Sequence, residues 1–340
     1  MNTMKITFRQ FLQLIFIPAL LICFQGCSEK QKETNPLPAG EADVSLLSEM
    51  IRKDPQNDSL YFIRAKKYLS ENVLDSAISD IRQAISLNGK NPDYFAFWSE
   101  ASLLANDSKN ALHALDTALG IIPDNRKLLQ DKVRLQLILR QYMEGMATLD
   151  HLFLVDPQNA YGYYLAGHIF IESGDTGRAV NSYQKAVDLD PELREAWIQL
   201  GDVLSYMKNP ICIRYYDNAL RLDSNDVETG HNKAYALQML GRIEEAVAQY
   251  KQNIRRDSTY ELSYYNLGIL YKNRDSFPQA IEMLNTSILL NPEEASTWFA
   301  RGECHAQLKN KTAAQEDFKK ASALRPEELR YKKAWEQMSK

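Results

Sequence analysis

Cysteine is scarce: there are four in 340 residues, and two of them, Cys23 and Cys27, close an apolar N-terminal stretch. That leaves Cys212 and Cys304 for the body, which excludes a disulfide scaffold. An excess of positive charge is also lacking. Forty Lys and Arg against 44 Asp and Glu give a formal net charge of -4. There is no basic footprint of the kind that neutralises phosphates, so nucleic acid is not an expected ligand. The motifs GxxxxGK[ST], GxGxxG and GxSxG do not occur, which removes phosphate cradles and nucleophile elbows. The five histidines, His113, His151, His168, His231 and His305, stand far apart, and none has a second histidine at i+3 or i+4. Glu244-Glu245 and Glu293-Glu294 are adjacent carboxylates, but neighbours on a helix point apart and do not converge on a substrate. An enzyme, such as an envelope hydrolase or its subunit, is therefore the remote reading, and no cofactor or metal is expected.

What is present begins with Lys5 and Arg9, no acidic residue, and an apolar run of 14 residues from Phe11 to Phe24. This is the layout of a secretory signal; a membrane-spanning helix needs about 20 apolar residues. The run closes with Phe24-Gln25-Gly26-Cys27, which resembles a bacterial lipobox, with Phe24 in place of the usual leucine. The resemblance implies removal of residues 1–26 and acylation of Cys27, which becomes the new N-terminus. The other reading leaves Cys27 an ordinary thiol in a linker. Residues 27–44 are polar and proline-containing and read as a flexible tether. The expected location is the bacterial cell envelope, lipid-anchored at the outer membrane, on a side that the sequence does not specify.

The body repeats itself. Aligned at a period of 34, the chain brings Ala77, Ala111, Gly145, Ala179, Cys212, Ala246, Ala280 and Ala314 into one small-residue column, with a single slip of one residue near Asn209-Pro210. Twelve places earlier in unslipped blocks stands a second column, Ala65, Ser99, Val133, Gly167, Gly201, Ala234, Gly268 and Gly302. Each block holds two stretches of helical period joined by a turn such as Glu172-Ser-Gly-Asp175, so the unit is a helix-turn-helix hairpin. Four places after the first column comes a large residue, from Ile81 and Leu115 to Tyr183, Tyr216 and Phe318, expected to bury against the next hairpin. Pro123, Pro157, Pro191, Pro292 and Pro326 stand at block ends and stop the second helix.

This pattern resembles the tetratricopeptide repeat. Ala196-Trp-Ile-Gln-Leu-Gly201 and Tyr264-Tyr-Asn-Leu-Gly268 are similar to its first-helix signature, and Ala179, Tyr183, Ala186 and Leu189-Asp-Pro191 to its second. The resemblance implies an all-α fold, an α-α superhelix of about eight hairpins over 58–91, 92–125, 126–159, 160–193, 194–226, 227–260, 261–294 and 295–328. Residues 45–57 are expected to form a half-repeat cap and 329–340 a capping helix. Block three departs through Leu129, Val133 and Leu152, which predicts loose packing or a change of curvature. Gly230 replaces the aromatic residue of block six and puts its contact with block five in question.

In this family the concave face is lined by positions 2, 5, 9 and 12 of each block. Carried over, these give Phe62, Tyr161, Tyr164, His168, Ile198, His231, Tyr235, Tyr265, Ile269 and Phe299. Aromatics that tolerate partial exposure are common anchors of protein recognition, so the expected partner is an extended or helical segment of another protein. The competing reading buries the same stripe between hairpins. Glu195, Asp202, Glu228 and Glu303 rim the stretch and suit a partner carrying Lys or Arg, while the Lys and Asn set that clamps a C-terminal carboxylate is missing. The expected job is a non-enzymatic adaptor or assembly scaffold. The alternative keeps the fold and has the array associate with itself as a homo-oligomer.

Overall fold

A computed structural model describes residues 43–338; the signal-type segment, Cys27 and the tether to residue 42 lie outside the described residues. The chain divides at Asp190 and Pro191 into two compact units. The first opens with α1 (Val44–Lys53) and continues in four hairpins. These are α2 and α3 (Asp58–Ser70, Leu74–Leu87), α4 and α5 (Pro92–Leu104, Ser108–Ile121), α6 and α7 (Arg126–Ile138, Tyr142–Val155), and α8 and α9 (Ala160–Glu172, Thr176–Leu189). The second unit holds α10 and α11 (Arg194–Tyr206, Cys212–Leu222), α12 and α13 (Val227–Met239, Ile243–Arg256), α14 and α15 (Glu261–Asn273, Phe277–Leu290), α16 and α17 (Ala295–Gln307, Lys311–Leu324), and the closing α18 (Leu329–Met338). Every element among the described residues is helical, and the fold is that of a helical-hairpin solenoid. The one-residue slip is absorbed at α11, which has 11 residues where the other second helices have 14.

Local chemistry sets the ends. Asn125 and Asn159 accept from the backbone N–H of Leu128 and Gly162 at the starts of first helices, and Asp107 and Asp175 cap second helices in the same way. Each first helix ends on a residue in the left-handed region: Asn72, Asn106, Arg140, Gly174, Lys208, Gly241, Asp275 and Lys309. The following N–H returns to a carbonyl five residues back, as from Gln141 to Gln136 and Asn209 to Leu204, both 2.8 Å. This turn satisfies two helix-end carbonyls at once and recurs with the repeat.

The small-residue columns let helices within a hairpin touch. A Cβ on Gly167 would lie 2.4 Å from Cε1 of Tyr183, and one on Gly201 2.6 Å from Cε1 of Tyr216. Tyr183, Tyr216, Leu284 and Phe318 therefore rest on their own hairpin's glycine, a contact that the expected burial against the next hairpin left out. Ile81 and Leu284 also reach the next hairpin: Ile81, beside Ala65 of its own hairpin, packs with Tyr94 and Phe97, and Leu284 packs with Ala300 and Cys304. Block three is not loose at its centre. Leu129, Val133 and Leu152 join Leu165 and Ile169 in one buried cluster. Beside it an open cleft of about 590 Å³ lies against α5, lined by Leu112, Leu119, Lys132, Thr148 and His151 among others. In block six, Asn253 on α13 fills the space that Gly230 vacates; a Cβ on Gly230 would lie 2.3 Å from its Oδ1, and its Nδ2 donates to Val227 O at 3.1 Å.

Within each unit the layers are asymmetric. In the second, α10 touches α12, α12 touches α14 and α14 touches α16, while successive second helices make no comparable contact. In the first unit α6 touches α8 in the same way. Layers that meet along first helices and separate along second helices turn the first-helix face inward.

Candidate functional site

In the first unit that inward face is largely taken up by its own contacts. Phe62 is half-buried, tilted against Tyr94 at 4.7 Å and edge-on to Phe97 at 5.5 Å, with Lys66 Nζ 4.1 Å from its ring centroid. Tyr161 stacks on Tyr164 at 5.5 Å, and Tyr164 meets His168 edge-on at 4.4 Å. His168 is 2% exposed, and its Nδ1 lies 2.9 Å from the Tyr183 hydroxyl. Burial pulls its pKa down to about 3, so it is a neutral core group supporting Tyr183 rather than a contact for a ligand.

The second unit is more open. Ile198, His231, Tyr265 and Ile269 are half-buried, and Tyr235 is 41% exposed. Phe299 is covered by the end of the array: Tyr331 of α18 lies 4.7 Å away and Phe318 5.4 Å. His231 sits 5.6 Å from both Tyr250 and Tyr260, with Nε2 3.4 Å from Asn266 Nδ2 and no partner at Nδ1. Burial lowers its pKa to about 4. The structure thus brings Tyr235, His231 and Tyr265 onto one face of two adjacent first helices, α12 and α14, while Phe62, Tyr161, Tyr164 and His168 belong to the other unit.

The acids of this face divide. Glu303 pairs with Lys272 at 2.5 Å, whereas Asp202 lies in the floor, 4% exposed, and is not a rim residue. Its Oδ1 accepts from the Tyr216 hydroxyl at 2.7 Å and from Asn232 Nδ2 at 3.3 Å. Sequence reasoning found Asp202 and His231 but not Asn232, which donates to Asp202, nor Tyr260, which lies against His231; block positions 6 and 34 carried no lining signal. Cys212 and Cys304 are both buried thiols whose pKa burial pushes up to about 11, so neither is a nucleophile. Among the described residues no group of His, Cys, Asp and Glu converges to hold a metal, and no helix is long and apolar enough to cross a membrane.

Comparison with known proteins adds to this geometry. Two family descriptions match: TPR repeat over residues 167–207 and Tetratricopeptide repeat over residues 265–328. The chain is a tetratricopeptide-repeat protein. Tetratricopeptide repeat protein 37 of Xenopus laevis is 24% identical over 293 residues, covering 81% of this chain and 18% of that protein. Superkiller protein 3 of Schizosaccharomyces pombe is 20% identical over 273 residues, 64% of this chain and 19% of that protein. The chain therefore spans about a fifth of the length of these relatives. A tetratricopeptide repeat protein from Parabacteroides merdae has a solved structure with TM-score 0.51 and 18% identity, covering 73% of this chain and 99% of that one, a likeness of fold. Tetratricopeptide-repeat proteins are generally non-catalytic scaffolds for protein–protein interaction, and the stacked hairpins here are such a scaffold.

Proposed function

We propose that this tetratricopeptide-repeat protein is an adaptor of a bacterial cell envelope, lipid-anchored through Cys27 at the outer membrane, which holds a segment of another polypeptide on the first-helix face of its second unit. Tyr235 carries the binding part of this reading: a large amphipathic ring left 41% exposed on a face where the neighbouring aromatics are half-buried. The anchor rests on the sequence, on Lys5, Arg9, the short apolar run and Cys27.

Co-purification from detergent-solubilised membranes, native chain against Tyr235→Glu, tests the face. A partner lost while the variant keeps its thermal unfolding midpoint supports the reading, and a folded variant that retains every partner overturns it. Mass spectrometry of the N-terminal peptide tests the anchor, which requires an acylated Cys27 and release of Cys27→Ala from the membrane fraction.

A further inference from the structure

Asp202 is an incomplete site. Oδ1 has two donors, but Oδ2, buried with the rest of the side chain, accepts no hydrogen bond. The titratable groups facing it are Tyr216 and Cys212 from α11, and Glu228 and Asp226 from α12 and its N-cap. Arg194 neutralises Asp226 at 2.6 Å. Among the described residues neither Asp202 nor Glu228 has an ion-pair partner, and Glu261 and Glu294 of the next layer lack one as well. Glu228 is exposed beside this floor, and Tyr235 is exposed two turns further along the same helix. Glu228 adds to the burial that opposes ionisation of Asp202, and Arg194, ion-paired with Asp226 and drawing on Glu228 only from a distance, leaves the three acids in excess of positive charge. Charge complementarity thus selects the occupant of the face.

We propose that the segment held by the second unit is basic, and that one of its lysine or arginine side chains seats over Asp202 and Glu228 and sends the Asp202 carboxyl proton to solvent. The O–H bond of Asp202 breaks, the proton passes to buffer, and the electron pair remains on the carboxylate that faces the incoming cation. This rests on the groove reading above and adds the chemistry of the partner to it. Burial, with Glu228 adding to it and Tyr216 opposing, pushes the empty Asp202 up to about 7, while His231 at about 4 does not titrate in the same range. A group that must lose a proton with that midpoint makes binding tighten roughly tenfold from pH 6 to pH 8.

The test uses the full-length chain in detergent and a capped decapeptide of alternating Arg and Ala, with Gln-for-Arg and Glu-for-Arg counterparts. The native chain is expected to bind the Arg peptide alone, with a rise of about tenfold between pH 6 and pH 8 that disappears in Asp202→Asn and a weaker complex in Glu228→Gln. Calorimetry of the native chain at pH 6.5, in two buffers of different ionisation enthalpy, should show about 0.8 proton released per peptide bound. No binding of the Arg peptide, equal binding of the Gln peptide, no proton release, or a pH slope retained in Asp202→Asn each overturns the proposal. If a membrane partner is then still lost with Tyr235→Glu, the groove reading stands and only the basic partner falls. If it is retained, both fall together.

Discussion

The indole N–H of Trp298 donates to the carbonyl oxygen of Pro292 across 2.8 Å. The same bond joins Trp197 to Pro191 at 2.8 Å, Tyr163 to Pro157 at 3.2 Å and Tyr61 to Pro55 at 3.3 Å. In each, an aromatic at the fourth place of a first helix reaches back six residues to the proline that follows the preceding helix. Proline ends that helix because it has no N–H to continue it, and its own carbonyl is left needing a donor. A polar-tipped ring serves both demands: its body packs beside the hairpin and its tip closes the turn.

Trp298→Phe keeps most of the ring and removes the donor. Unfolding by urea should show a loss of about 1 kcal/mol, against about 3 kcal/mol for Trp298→Ala, which also empties the space. Equal losses for the two variants would show that the hydrogen bond contributes nothing.

Gly167 and Tyr183 form a pair of complementary sizes. Alanine at 167 would put a methyl 2.4 Å from the Tyr183 ring edge, and that ring is fully buried and held by His168. Gly167→Ala should therefore cost about 2 kcal/mol despite the better helix propensity of alanine. Adding Tyr183→Leu should recover part of that loss, since Ala65 stands with Ile81 in the first hairpin of the same unit. A single variant as stable as the native chain would contradict the close approach.

The fold was legible because its packing is periodic: the 34-residue columns of Ala77 and Gly167 are the residues buried between helices, and any register error would have put them in water. What periodicity cannot show is compensation between columns. Gly230 looked like a lost contact, yet Asn253, 23 residues later, fills the gap. The groove was legible as positions but not as surfaces. Phe62 and Phe299 occupy lining positions, yet Lys66 and the Tyr331 ring cover them, contacts that arise from rotamers and from the end of the array. Asp202 was visible as an acid, whereas its burial depends on Tyr216 and Asn232, set 14 and 30 residues away.

The turn residues make a third prediction. Arg140 and Lys208 hold φ at 57° and 55°, a region where a side chain beyond glycine costs about 1 kcal/mol. The equivalent residues Gly174 and Gly241 adopt φ of 81° and 74° without that cost. Arg140→Gly and Lys208→Gly should each raise stability by about 0.5–1 kcal/mol, and Gly174→Ala should lower it by a similar amount. Melting temperatures that move the opposite way would mean that the Arg140 or Lys208 side chain makes contacts outweighing the backbone strain.

Stability should also depend on pH with two opposed slopes. Asp202 is raised from 3.8 to about 7, burial first and Glu228 adding, so the folded state holds a proton that the unfolded chain has already lost. Its contribution is fully present below about pH 4 and is lost as pH rises through 7. His168 and His231 run the other way: burial lowers them from 6.5 to about 3 and about 4, so their contribution is present above pH 6.5 and lost as pH falls. Between about pH 4 and 6.5 the two histidines gain more than the one carboxyl loses, so on these groups the native chain should be most stable near pH 6.5. In Asp202→Asn the amide still accepts from Tyr216 and no charge forms in the floor. At pH 8 that variant should be more stable than the native chain by on the order of 2 kcal/mol, and at pH 4 the two should agree. Denaturation curves at pH 4, 6 and 8 decide the matter: an alkaline decline of the same size in both proteins would assign it to groups other than Asp202.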